Sequence, residues 1–221
     1  MKFTAKIAAF SALSVASAMA PVIAGTFDYN EETHLVFMRE EEKLARDVYL
    51  TLADMYPGSS VFQNIAETSE QTHTDTMKAK LDQYGVADPN PDTNNLPAAI
   101  GVFTGADYGA YFTEKFNILV NCPANSEHDA QYAGASIEEL DMHDIVLCPK
   151  AIVEADNGVG DEECGLTYTD ENPIINTYES LLAGSENHLR SYVGQIEAII
   201  GAGNYVAQYL PQETVDAILG R

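Results

Sequence analysis

The sequence predicts an all-α fold: four long helices, a long crossover and short extra helices. Three observations carry that expectation. Apolar residues recur at helical spacing over four long stretches. No stretch alternates with the two-residue period of a strand. Each long stripe also carries acids or a histidine among its apolar positions, where an unpaired polar group is costly to bury.

The first helix is expected over Leu35 to Tyr56, capped by Asn30 or Thr33 and stopped by Pro57-Gly58. Phe37, Met38, Leu44, Ala45, Val48, Tyr49 and Leu52 mark its apolar face, and Glu41 and Glu42 fall on that face. The second helix runs from Val61 to Tyr84, closed by Gly85. Ala66, Glu70, His73, Met77 and Leu81 lie one turn apart along it. Residues 85–106 are rich in Pro, Asn, Asp and Gly and read as a long crossover. A short helix follows over Asp107 to Val120, ended by Asn121-Cys122-Pro123. The third long helix spans Glu127 to Leu147; Gly134, Glu138, Asp141 and Ile145 form one line, with Ile137, Leu140 and Asp144 beside it. Residues 150–170 read as a loop. The fourth helix runs from Pro173, in its first turn, to Ile200, with Ile174, Tyr178, Leu181, Ser185, His188 and Tyr192 on one face. A short C-terminal helix is expected over Gln212 to Leu219.

The 221 residues suit one domain, residues 25–221, after removal of a leader. Lys2 and Lys6 precede the small and apolar run Ile7 to Ala20, so residues 1–24 read as a signal peptide, with a retained anchor as the plainer alternative. Cleavage falls before Gly25 or, less favourably, after Ala20. The expected location is secreted or periplasmic. The 34 Asp and Glu outnumber the 11 Lys and Arg, giving a net charge of −23 at pH 7. Such a chain repels nucleic acid and anionic membrane surfaces and attracts metal ions; solubility or a salty medium is the plainer reason for the bulk charge. No stretch after the leader is expected to cross a membrane. The sequence leaves a homo-oligomer open. Three cysteines suit one disulfide and one thiol in an exported chain, with Cys148–Cys164 and Cys122–Cys148 both open. Zinc-ribbon spacing is absent.

The inward polar groups form the chemical expectation. Glu42, Glu70, His73, Glu138, Asp141 and His188 come one or two from each long helix. Glu and His three apart on one helix face reach the same ion or adjacent ions. Carboxylates bridge and neutralise two cations, and imidazole suits iron or manganese. One or two such ions are the expected cofactor. Each signal alone is weak: Glu42 could pair with Lys43 or Arg46, and an inward His188 is more often a hydrogen-bonded core histidine. The coincidence of four helices raises the metal reading. Tyr49, Tyr178 and Tyr192 share the ligand stripes; core packing is the favoured expectation for them, and orienting ligands by hydrogen bonds is the alternative.

The motifs also resemble known families. Glu42-Lys-Leu-Ala45-Arg46-Asp-Val-Tyr49 is similar to the Glu-x-x-Ala-Arg-x-x-Tyr of the first ligand helix in rubrerythrin-like proteins. Glu70-x-x-His73 is similar to the second, and Glu138-x-x-Asp141 to the Glu-x-x-Glu of the third. REEEKLARDVY, ETSEQTHTDTMKAKL, GASIEELDMHDI and YESLLAGSENHLRSYV resemble the signature blocks of the DUF2202 family, over most of residues 31–200. That resemblance implies a ferritin-like four-helix bundle and no settled activity. One departure stands out: the fourth helix carries Ser185 three before His188, where the rubrerythrin pattern has Glu. Glu179 and Glu186 are candidate substitutes; without one, a mononuclear or asymmetric site is favoured. No rubredoxin-like cysteine quartet is present. The expected function is an exported metal-binding protein, as a carboxylate-bridged di-iron or manganese oxidase acting on Fe(II) with dioxygen or peroxide. The alternatives are a non-catalytic divalent-metal binding or storage protein and a metal-free structural bundle.

Overall fold

The computed structural model describes residues 26–91, 99–121 and 126–221. The expected signal peptide and Cys122 lie outside the described residues. All regular structure among the described residues is helical. In chain order the elements are α1 (Tyr29–Met55), α2 (Ser60–Asn64), a π-helical turn (Ile65–Glu70), α3 (Gln71–Tyr84), α4 (Gly109–Asn121), α5 (Glu127–Val146), α6 (Lys150–Glu154), α7 (Asn172–Ile200) and α8 (Gln212–Leu219). No described helix is long and apolar enough to cross a membrane.

α1 begins six residues earlier than the apolar periodicity suggests. Its cap is Asp28, not Asn30 or Thr33: Asp28 Oδ1 accepts from the backbone N–H of Asn30 and Glu31. The Glu31 carboxylate accepts in return from the Asp28 N–H at 3.0 Å, completing a capping box. Tyr168 and Thr169, far along the chain, donate to Asp28 and Glu31 and fix this polar first turn.

The stretch expected as one helix over Val61 to Tyr84 contains a π-helical turn that ends on Glu70. A π turn inserts an extra residue into a helix and recurs at functional sites. Here it leaves Glu67 exposed while Glu70 and His73 turn inward. Gly85, with φ of 71°, closes α3 as expected.

The long helices close a ring: α1 packs on α3 and α5, and α7 packs on the same two. Their shared interior holds Met38, Ala45, Tyr49, Met77, Ile145, Tyr178, Leu181 and Tyr192, all buried. α4 covers a further side of α1 through Phe112 against Phe37.

α1 is buried on both faces because the crossover lies along its outer side. Arg39 pairs with Asp88 at 3.2 Å, and Asn90 donates to Glu40. Lys43 donates to Asp47 and to the Ala99 carbonyl, and its ammonium lies 4.4 Å from the Phe103 ring centroid. Asp47 also accepts from Arg46 and from the Gly101 N–H. Lys43 and Arg46 are therefore engaged by Asp47, on the crossover side, which removes the expected surface ion pair for Glu42.

Residues 150–170 are not wholly loop, since α6 occupies their start. The segment folds back on the end of α5, with Leu166 and Thr167 donating to the carbonyls of Ile145 and Val146. Gly165 makes this approach: its φ is 80°, and a Cβ there would lie 2.8 Å from the Val146 carbonyl oxygen. The Cys148–Cys164 disulfide closes the segment, selecting one of the two expected pairings.

Closing a loop of about 15 residues stabilises a fold by roughly 3 kcal/mol through the unfolded chain. Replacing both cysteines (C148S/C164S) is predicted to lower unfolding free energy by about 2–3 kcal/mol in urea denaturation. An unchanged midpoint would contradict the pairing.

Candidate metal centre

The interior between the long helices gathers five of the six expected ligands. Glu42 comes from α1, Glu70 from the end of the π turn, His73 from α3, Glu138 from α5 and His188 from α7, and all five are buried. They form two triads, Glu42–Glu70–His73 and Glu70–Glu138–His188, whose donor atoms lie within 4.8 Å of one another. His73 Nδ1 is 3.2 Å from Glu42 Oε2 and 3.5 Å from Glu70 Oε2. His188 Nδ1 is 2.8 Å from Glu70 Oε1 and 3.2 Å from Glu138 Oε2. Glu70 thus belongs to both triads and turns one oxygen toward each histidine.

Asp141, the sixth, stands beside the triads rather than in them. Ser185 donates to its Oδ2 at 2.6 Å, and its Oδ1 has no hydrogen-bond partner among the described residues. The two expected substitutes for a fourth-helix carboxylate do not reach the centre. Glu179 is exposed, and Glu186 pairs with Arg190 on the outer side of α7 at 2.8 Å.

Neighbouring side chains set the orientation of the triad residues. Tyr49 donates to Glu138 Oε1 at 2.6 Å, a contact that core packing alone does not include. Tyr178 instead bonds His34 Nδ1 at 2.6 Å, away from the triads, and His34 Nε2 meets the Asp144 carbonyl. Burial holds His34 well down, at about 4. Gly184 on α7 gives His73 its room: an added Cβ would fall inside contact distance of Nε2. Gly134 does the same for the Tyr192 ring, which would lie 2.6 Å from an added Cβ.

Burial pushes Glu42 up to about 7, against the pull of His73. Glu138 and Asp141 are raised for the same reason, Asp141 also by the charges of Glu42 and Glu138. Burial opposes charge on the histidines, but the carboxylates outweigh it. Glu42 and Glu70 push His73 up to about 12, and Glu138 and Glu70 push His188 up to about 10. Glu70 is held down at about 2 by those two imidazoliums despite its burial. The protons on His73 and His188 therefore occupy the place where a cation would bind.

The donor set suits a divalent ion. Such ions bond His nitrogen and carboxylate oxygen at about 2.0–2.2 Å, so donors across one ion lie at most roughly 4.4 Å apart. Each triad needs shifts of only tenths of an ångström to meet that span. Glu42 Oε1 and Asp141 Oδ1 are buried acceptors without hydrogen-bond partners among the described residues, and Glu70 Oε2 has only the 3.5 Å contact with His73. Buried acceptors are normally satisfied, so these atoms suit a bound ion or ordered water.

Sequence reasoning placed Glu41 and Ser185 on inward faces without giving either a role, and passed over Gly184. Glu41 is buried beside Glu42, but periodicity does not separate two adjacent acids on one face. Ser185 is the group that holds Asp141. Gly184 had a signal: glycine inside a helix costs about 1 kcal/mol against alanine, so one in mid-α7 points to a close approach.

The family described as "Uncharacterized protein domain (DUF2202)" matches residues 31–221, and the chain belongs to that family. Uncharacterized protein MJ0754 of Methanocaldococcus jannaschii is 38% identical over 189 residues, covering 86% of each chain. The crystal structure of hypothetical protein MJ0754 from Methanococcus jannaschii is similar with a TM-score of 0.68 at 34% identity, covering 91% of this chain and 98% of that one.

The electrostatics predict an unusual pH profile for metal-free protein. His73 and His188 have raised values, so their stabilisation is complete below about 6.5 and lost as pH climbs toward 10 and 12. Glu42, raised to about 7, loses its share between about 4.5 and 7. Glu70, depressed to about 2, loses its share as pH falls below about 4.5. Melting temperature measured in chelator is predicted to peak in mild acid and fall from roughly pH 5 to pH 9, while the upward shift on adding Mn(II) grows over the same range. A metal-free melting temperature that rises toward pH 9 would contradict these assignments.

Proposed function

We propose that this member of the DUF2202 family is an exported ferritin-like protein, a four-helix bundle that binds two divalent iron or manganese ions and oxidises Fe(II) with dioxygen or peroxide. The observation that carries this reading is Glu70, whose two oxygens face different histidines in two overlapping triads. A carboxylate presented in that manner is suited to lie between two ions. Glu42 and His73 would hold one ion, and Glu138 and His188 the other. Bound iron supplies one-electron redox chemistry toward dioxygen or peroxide.

Glu42, Glu70 and Glu138 bring three carboxylates into the two triads, and buried carboxylate charge gathered in this way is offset by bound cations. The chain's own residues do the rest. Tyr49 fixes Glu138, Ser185 keeps Asp141 at the margin, and Gly184 lets His73 present Nδ1 inward. Met77, Leu181 and Leu189, buried on the ligand helices, exclude bulk water. The Cys148–Cys164 disulfide and the leader expected over residues 1–24 support an oxidising, exported location.

One observation favours the non-catalytic alternative of metal binding or storage. α7 brings only His188 to the centre, with Ser185 three residues before it where Glu70 stands three before His73, so the two triads are unequally furnished. Turnover separates the two readings.

The test is elemental analysis of mature protein purified without a metal-affinity tag, followed by oxygen uptake after anaerobic Fe(II) addition. The expected result is about two ions per chain, with uptake continuing through repeated Fe(II) additions. Glu70→Ala and His73→Ala are expected to lose both. Two ions with no turnover would establish the binding reading. No metal above background in wild type, even after Fe(II) addition, would overturn both.

A further inference from the structure

Beside the triads runs a second row of acids that the centre does not use. Glu41 on α1 is 5% exposed, and its Oε2 is buried with no hydrogen-bond partner among the described residues. Asp141 on α5 is 4% exposed, with Oδ1 in the same condition. Asp144, one turn further along α5, is buried and contacts the half-exposed His143 at 2.7 Å. Asp141 and Asp144 lie one turn apart on α5, and Glu41 directly precedes Glu42 on α1, so the row leads from His143 toward the triads. Glutamine at position 41 would fill the same volume without an ionisable group, so packing alone does not account for a buried carboxyl whose Oε2 is left without a partner among the described residues.

The row opens on a cleft. A 110 Å³ pocket is lined by Glu41 together with Tyr111, Lys115, Leu140 and Tyr209. An adjoining 290 Å³ pocket shares those last four residues and is lined by His143 and Asp144. The larger has room for several water molecules, since one needs only on the order of 10–15 Å³ of such space. Tyr209 is fixed at this rim by Glu139, whose Oε2 accepts the backbone N–H groups of Gln208, Tyr209 and Leu210. The two lysines that line the cleft are each held by another group. The Lys115 ammonium lies 5.1 Å from the Tyr111 ring centroid, and Lys150 pairs with Glu154 at 3.2 Å.

We propose that this cleft is the access route for divalent cations, which pass from Asp144 to Glu41 and on through Asp141 to Glu42 and Glu70. The inference rests on the metal centre proposed above and adds the path that fills it. The three acids suit passage rather than residence, because among the described residues their donor atoms do not converge within 4.8 Å as those of the triads do. Single carboxylates spaced along a partly wet cleft replace an ion's water one ligand at a time and bind it too weakly to hold it.

The experiment is stopped-flow uptake of Co(II) by metal-free mature protein, followed by visible absorption of the bound ion. Glu41→Gln and Asp144→Asn keep shape and remove charge. Each is expected to slow uptake by about tenfold or more while the final Co(II) per chain stays that of wild type. Glu67→Gln, on the exposed side of the π turn that leads past Ser69 to His73, is expected to leave the rate unchanged. Unchanged rates in both cleft variants, or slowing by Glu67→Gln alone, would overturn the route and leave the centre standing. A fall in capacity at an unchanged rate would make Glu41 a resident ligand and also overturn it. No Co(II) uptake by wild type would overturn the centre itself.

Discussion

A carboxylate in an apolar interior costs several kcal/mol unless a counter-charge lies within reach. This interior holds Glu42, Glu70, Glu138 and Asp141, with Glu41 and Asp144 close by. The imidazolium protons of His73 and His188 offset part of that charge, and they do so by occupying the positions a metal would take. Much of the fold can be understood as the arrangement that keeps these acids together. Four helices are required because no single helix face brings more than a neighbouring pair to one point.

The unequal faces of α1 follow from the same constraint. Its basic residues, Arg39, Lys43 and Arg46, are drawn to Asp88 and Asp47 on the crossover side. The acids on the opposite face are left without them. Had Lys43 or Arg46 reached Glu42, the centre would be a closed salt bridge with no demand for an ion. The crossover is thus more than a connection: by burying one polar face of α1 it keeps the other free for the interior. The π turn and Gly184 act at finer scale, turning Glu70 inward and admitting the His73 ring.

The long helices were legible because their apolar periodicity is strong, and His188 because it sits in the middle of an otherwise apolar face. The inward convergence of Glu42, Glu70, His73, Glu138 and His188 was legible as a coincidence of type and spacing across several helices. Asp141 was legible as an inward acid but not as a group held aside, since that depends on Ser185 from another helix. The start of α1 was not legible, because Tyr29 to His34 has no apolar stripe and owes its order to Tyr168 and Thr169. Burial of Arg39 and Glu40 was hidden for the same reason: charged residues read as a solvated face until the crossover covers them. The π turn leaves no compositional mark that periodicity can detect.

The most direct test of a two-ion centre is anomalous diffraction from crystals soaked in Mn(II), with data collected on both sides of the manganese edge. The account predicts two peaks flanking Glu70, one beside Glu42 and His73 and the other beside Glu138 and His188. A single peak would make the centre mononuclear. An interior without any peak, with His73 and His188 still bonded to their carboxylates, would contradict the account and leave these acids as a protonated polar core.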